Sequence, residues 1–313
     1  MATAQFGRET GSDGSWKRQQ SAFRDGVRAD GSTGFAPAAG RYHLYVCAAC
    51  PWAHRAIIVR KLKGLEDAIA MTVVDPLRDE HGWRFGHDDA ETGDRDPLHG
   101  WTYLAEAYQA SDPTFEGRVT VPTLWDTQTG RIVNNESSDV IRILGSEFDE
   151  FATNPELDLY PADLRAEIDA VNEWVYADIN NVVYRCGFAV TQEAYDDAFD
   201  RLFAGLDRVE ELLGTQRYLA GDRITEADWR LFTTLVRFDA VYVGHFKCNL
   251  RRIVDYPNTW AYARELFQVP GVAETVNFDH IKRHYYVTHD QINPTGIVPK
   301  GPAMDWSTPH GRG

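Results

Sequence analysis

Cysteine, methionine and lysine are scarce in this chain, and no apolar run is long. Four cysteines (Cys47, Cys50, Cys186 and Cys248) in 313 residues are too few for a disulfide framework, which leaves buried or reactive thiols in a reducing compartment. No stretch nears the ~20 consecutive apolar residues of a membrane-spanning helix. The polar start from Met1 to Asp30 has no signal-peptide core, and a cytoplasmic protein is expected. Only six of the 32 basic residues are lysine, and with 47 acidic residues the net charge is −15. The basic footprint that nucleic-acid binding needs is therefore missing. Neither a G-x-G-x-x-G nor a P-loop pattern occurs, so no nucleotide cofactor is expected.

Hydrophobic residues make up 43% of the chain and aromatics 12%, enough for a full core in two domains or one large one. Residues 1–39, rich in Gly, Ser, Ala and Arg, read as an extended N-terminal arm. Next come a strand at 41–46, a helix from Pro51 through Arg55 to Lys63 with Gly64 as its stop, and a β-branched run at 69–74. That order is a βαβ unit. A charged insertion spans 81–100, and a helix is expected around 101–109. Residues 117–126 and 131–133 then form a hairpin around a Thr-Gln-Thr-Gly turn, and a short helix runs to about Leu144.

From Pro161 onward the periodicity is that of long amphipathic helices, at 162–180, 192–213, 225–242 and 259–267. Thr225 and Asp228 have capping-box spacing. The segment after Val276 is expected to lie as a surface tail. The expected fold is an α/β domain at 40–150 and an all-α domain at 160–285, with a tail at 286–313.

Cys50 carries the chemistry. It stands where the first strand gives way to a helix, in Val46-Cys47-Ala48-Ala49-Cys50-Pro51-Trp52-Ala53-His54-Arg55. The unpaired N–H groups and the positive dipole end of that helix favour a thiolate. Pro51 suits the first helical turn, where a missing N–H costs nothing. His54 and Arg55 add positive charge nearby. Pro122 cannot donate to a strand ladder, so it marks either a sheet edge or a special backbone geometry, a cis bond among them.

Taken in order, Cys50-Pro51-Trp52-Ala53-His54-Arg55, Arg118-Val119-Thr120-Val121-Pro122, Asn135-Glu136-Ser137-Ser138, Tyr184-Arg185-Cys186-Gly187-Phe188-Ala189, Val243-Gly244-His245-Phe246-Lys247-Cys248 and His280-Ile281-Lys282-Arg283-His284-Tyr285-Tyr286 resemble the glutathionyl-hydroquinone reductases, the xi class of glutathione transferases. The resemblance implies a thioredoxin-like N-terminal domain, an all-α C-terminal domain and a homodimer. It implies glutathione as co-substrate and Cys50 as the nucleophile that releases a hydroquinone from its glutathione conjugate. Val121, beside a cis Pro122, would hold the cysteinyl part of glutathione through its backbone. Glu136 and Ser137 would hold the γ-glutamyl end, and Trp83 would line the glutathione site. Tyr184 and Tyr285 would face the quinol, with Tyr286 as their neighbour.

Two alternatives remain at this stage: a broader, omega-like thiol transferase or dehydroascorbate reductase, and a non-catalytic binding module of the same fold. The native thiol could equally be γ-glutamylcysteine or another small thiol. Cys47-x-x-Cys50 invites a dithiol reading. In that motif, however, the reactive cysteine comes first, and if Cys50 opens the helix the resolving position is occupied by Ala53. An accessory Cys47–Cys50 disulfide is the remaining possibility, to be decided by geometry. His280, His284 and His289 have ligand-like spacing but no acidic or cysteine partner to complete a site, so no metal is expected. Cys186 and Cys248 read as buried thiols.

Overall fold

The computed structural model describes residues 9–86 and 95–313. The first eight residues of the expected arm and the middle of the charged insertion lie outside the described residues. Chain contacts divide the rest into two compact units. One takes in 19–158 and 279–284, and the other 9–18, 159–278 and 285–313. Residues expected as a separate arm are thus shared between the two.

The first unit is built on a four-stranded sheet. Strand β1 (Tyr42–Val46) is buried along its whole length, as a central strand covered on both faces must be. Helix α1 (Pro51–Lys63) follows, then β2 (Ala70–Val73), which runs parallel to β1 with Leu44 opposite Met71. Pro51 opens α1. Arg60, Lys61 and Lys63 complement the dipole at its end, and Gly64 closes it in a left-handed conformation (φ 63°). A two-stranded ribbon, β3 (Arg78–Asp79) and β4 (Gly82–Trp83), leads into the region read as insertion, with β4 inside it.

Helix α2 (Ala105–Ser111) begins later than its sequence pattern indicates. Residues 102–104 bond to the end of β4 and the chain after it instead: Phe85 N–H donates to Thr102 O at 2.9 Å and Leu104 N–H to Trp83 O at 2.9 Å. Strand β5 (Thr123–Asp126) is shorter than the expected 117–126. Thr120 is held by the Tyr108 hydroxyl, which donates to its carbonyl at 2.7 Å and accepts from its N–H at 3.1 Å. A side chain there takes the place of a ladder partner. The Val121–Pro122 peptide is cis. Strand β6 (Arg131–Asn134) completes the hairpin, and the sheet order is β2-β1-β5-β6. Helix α3 (Ser137–Arg142) packs against α1 and continues into a π-helical turn, Ile143–Glu147.

The second unit is helical. Its elements are α4 (Arg165–Val175) with a π turn at Tyr176–Asn180, α5 (Val182–Phe188), α6 (Gln192–Leu213), α7 (Glu226–Arg237) with a π turn at Phe238–Tyr242, and α8 (Pro257–Phe267). Thr225 caps α7 as its spacing predicts: Asp228, fully buried, accepts from Thr225 N–H at 2.8 Å and from its hydroxyl at 3.1 Å. The stretch after Val276 is no mere tail. Residues Phe278–Thr288 form helix α9, of which 279–284 group with the sheet unit. Ile281 and Tyr285, one turn apart on α9, are both buried. Further on, Trp306 packs against Trp260, Phe267 and Phe278. Among the described residues no helix is long and apolar enough to cross a membrane.

Candidate functional site

In the sheet unit, Cys50 is the N-cap of α1. Its backbone is extended (φ −78°, ψ 122°), its carbonyl accepts from His54 N–H at 3.0 Å, and its own N–H donates to Cys47 O at 3.1 Å. The thiol therefore stands at the positive end of a 13-residue helix. It is half-buried, and Sγ lies 3.6 Å from the Val121 carbonyl oxygen, to which it donates. Cys47 is fully buried, and no disulfide joins the two cysteines.

The carboxylate of Glu136, N-cap of α3, accepts from Ser138 N–H and from the Ser138 hydroxyl, each at 3.2 Å. Its other oxygen accepts from the Ser21 hydroxyl at 2.9 Å. Ser137 is buried, and its hydroxyl accepts from Arg55 Nη1 at 3.3 Å. Arg55 is itself buried, with its guanidinium 4.5 Å over the Trp52 ring. Its charge is thus brought to the start of α3. Trp83, on β4, is buried against the imidazole of His284 and the guanidinium of Arg78.

In the helical unit the structure joins Tyr184 and Tyr285, with phenol oxygens 2.6 Å apart. A third phenol, Tyr242, bonds Tyr285 at 3.0 Å. Burial, with the neighbouring phenols next, holds Tyr242 and Tyr285 well above the usual tyrosine range, so both stay protonated. Trp16 stacks on Tyr184 at 5.6 Å, and Phe246 meets it edge-on at 5.5 Å. Tyr286 stands outside this phenol chain; its hydroxyl donates to the Ala240 carbonyl at 3.4 Å.

The three histidines with ligand-like spacing do not act as a set. His284 Nδ1 lies 2.6 Å from Pro76 O, and His289 Nδ1 lies 3.2 Å from His245 Nε2. Among the described residues no cluster of three or more His, Cys, Asp or Glu side chains could hold a metal ion. Cys186 and Cys248 are both buried, and burial pushes the Cys248 thiol up.

Sequence reasoning passed over Tyr242, Ser21, Arg55's link to Ser137, and His284's stack on Trp83. Tyr242 does lie one residue before a motif that carries the resemblance, which is the only signal for it. Ser21 sits 115 residues from Glu136 and carries none.

A thioredoxin-like unit whose first helix opens on a cysteine, joined in one chain to a helical unit, is the architecture of a cysteine-type glutathione transferase. Family models match accordingly: the glutathione S-transferase N-terminal domain over residues 49–147 and its C-terminal domain over 192–265.

The chain is 50% identical to glutathionyl-hydroquinone reductase YqjG of Escherichia coli K12, covering 96% of this chain and 92% of that one. It is 53% identical to glutathionyl-hydroquinone reductase PcpF of Sphingobium chlorophenolicum, over 94% and 91%. The glutathione-bound structure of YqjG matches with a TM-score of 0.89 over 93% of this chain and 96% of that one. The glutathione S-transferase Xi of Phanerochaete chrysosporium, 50% identical, gives 0.92 over 96% and 98%. The chain belongs to the glutathionyl-hydroquinone reductase family, the xi class of glutathione transferases.

Proposed function

We propose that this chain is a glutathione-dependent reductase of glutathionyl-hydroquinones, with Cys50 as its nucleophile. The observation that carries the reading is the half-buried Cys50 thiol at the N-terminus of α1, 3.6 Å from the carbonyl of Val121. The Cys50 thiolate attacks the thioether sulfur of the conjugate. The carbon–sulfur bond breaks, the aromatic carbon keeps the electron pair and takes a proton, and hydroquinone departs. A Cys50–glutathione disulfide remains. The thiolate of a second glutathione attacks it, regenerates Cys50 and leaves as glutathione disulfide. One hydroquinone and one glutathione disulfide form per conjugate and glutathione consumed.

Glutathione is held, in this reading, by the backbone of Val121 before Pro122, by Glu136 and Ser137 at its γ-glutamyl end, and by Trp83. A carboxylate pairs with the γ-glutamyl ammonium, and the Ser137 hydroxyl, bonded to Arg55, faces the carboxylate. Tyr184 and Tyr285 receive the aromatic diol, and as neutral phenols they can donate to its oxygens and deliver the proton to the leaving carbon. The phenol chain favours this reading over a broader thiol transferase, which needs no such group. Recognition through the γ-glutamyl end extends to γ-glutamylcysteine as an alternative thiol. Strong loss of turnover when the glycine is absent would remove that extension.

The family resemblance and the sparse cysteines further support a homodimer working in the cytoplasm, where a reducing thiol pool is available. Light scattering on the purified protein checks the dimer. The activity itself is tested by incubating the protein with a glutathionyl-hydroquinone and glutathione. Equal amounts of hydroquinone and glutathione disulfide are expected, with both products abolished in Cys50→Ala. Product formation unaffected by that substitution would refute the mechanism.

A further inference from the structure

Trp83 is only 4% exposed, yet its Nε1–H has no hydrogen-bond acceptor among the described residues. An indole N–H is a donor only, and leaving one buried and unmet costs about 1–3 kcal/mol. Such a group calls for an explanation, and an acceptor supplied by a bound ligand is one. The ring that carries this donor is held with care. The His284 imidazole stacks on it at 5.2 Å between centroids and 24° between planes. The Arg78 guanidinium lies 4.7 Å from the same ring.

His284 is itself fixed. Its Nδ1 stands 2.6 Å from the Pro76 carbonyl oxygen. A carbonyl only accepts, so Nδ1 carries the proton and donates, which sets both the tautomer and the tilt of the ring. With the side chain 8% exposed, the imidazole has little freedom to turn. The sequence Pro76, His284, Trp83 is therefore a rigid chain of contacts that ends on one unmet donor.

We propose that His284 is a positioning residue for the thiol substrate: anchored on Pro76, it holds the Trp83 indole so that Nε1–H is presented to an acceptor oxygen of glutathione. The inference rests on the reading of Trp83 as a glutathione-binding residue. In this proposal His284 acts through Trp83 and not on the reacting sulfur or the quinol. Its contribution is to affinity for glutathione, because a pre-set donor loses less freedom on binding.

The test uses the full-length protein and measures the glutathione Kd by calorimetry, with single-turnover hydroquinone release at saturating conjugate alongside. His284→Ala is expected to weaken glutathione about tenfold while leaving the single-turnover rate within about twofold. His284→Phe keeps a flat ring but loses the Pro76 anchor, and it should fall between the two, with the fold intact.

Trp83→Phe removes the donor itself, and His284→Ala added to it should weaken binding no further, as expected when two residues act through one bond. An unchanged Kd in both His284 variants, with Trp83→Phe weakened, would overturn the inference and leave the reading of Trp83 standing. Additive losses in the double variant would overturn it too, since His284 would then act elsewhere. An unchanged Kd in Trp83→Phe would overturn the reading of Trp83 and the inference with it.

Discussion

The phenol oxygens of Tyr184 and Tyr285 lie 2.6 Å apart, and that of Tyr242 lies 3.0 Å from Tyr285. Tyr285 is thus the middle of a three-phenol chain, buried with Tyr242 behind the half-exposed Tyr184. If the chain orients a hydroquinone and supplies its proton, Tyr285→Phe should slow single-turnover hydroquinone release by about 10- to 100-fold. Formation of the Cys50 disulfide from glutathione disulfide needs no proton for carbon and should be unaffected. Equal loss in both reactions would mean that the phenols only support the fold.

The γ-glutamyl cradle proposed at Glu136 and Ser137 would give a different signature. Glu136 is placed by bonds from Ser138 and from Ser21. Glu136→Gln removes the charge and should raise the KM for glutathione about tenfold, equivalent to ~1.4 kcal/mol. Ser21→Ala leaves the charge but removes one hydrogen bond that positions it, so a rise of about two- to fourfold is expected. Steady-state kinetics with glutathione varied would check both, and a fall in kcat without change in KM would contradict the assignment.

Stability rests in part on a nearly buried ion pair. Arg41 donates twice to Asp126, each at 2.8 Å, and the Asp126 side chain is fully buried with further bonds from Thr129 and Gln128. Asp126→Ala leaves a guanidinium without its carboxylate and opens the β5–β6 turn. A loss of roughly 3–5 kcal/mol is expected, read as a lower urea midpoint.

Two buried histidines make stability fall on mild acidification. Burial pushes His43 and His245 down from 6.5 to about 4, Asp96 opposing it at His43 and Lys247 adding to it at His245. In the unfolded chain each takes a proton as the pH drops below about 6.5, whereas in the folded chain each stays neutral until about 4. The unfolded state therefore binds more protons between those values. The stability present above pH 6.5 is lost as the pH falls through this window, by on the order of 2–3 kcal/mol per histidine. Urea unfolding at pH 7.0 and 5.5, with His43→Gln and His245→Gln, would test it: both substitutions should flatten the slope. A slope unchanged in both would refute the assignment.

Much of this molecule can be read from local sequence, because local rules set most of its helix ends and its hairpin. Pro51 and Gly64 bound α1, Thr225 with Asp228 starts α7, and the Thr-Gln-Thr-Gly turn separates β5 from β6. The illegible parts depend on distant partners. Helix α2 starts late because residues 102–104 pair with Trp83 and the chain just after it, and β5 is shortened because Tyr108 takes the backbone of Thr120. Helix α9 is hard to read because its buried stripe, His280, Ile281, His284 and Tyr285, is half histidine, and that spacing also suits metal ligands. Among the proposed site residues, Cys50, Glu136 and Ser137 announce themselves at helix starts. Ser21, Tyr242 and His284 do not, since their partners lie 43 to more than 100 residues away or, for His284, across a stacking contact no pattern encodes.

The central claim is that Cys50 carries glutathione through a covalent intermediate. Its most direct test is intact-mass measurement of wild type and Cys50→Ala after a single exposure to a glutathionyl-hydroquinone without free glutathione. One glutathione should add to the wild type in step with hydroquinone release and be removed by fresh glutathione, with neither event in Cys50→Ala. Hydroquinone released at the wild-type rate by Cys50→Ala, or an adduct that maps to Cys47, would contradict it.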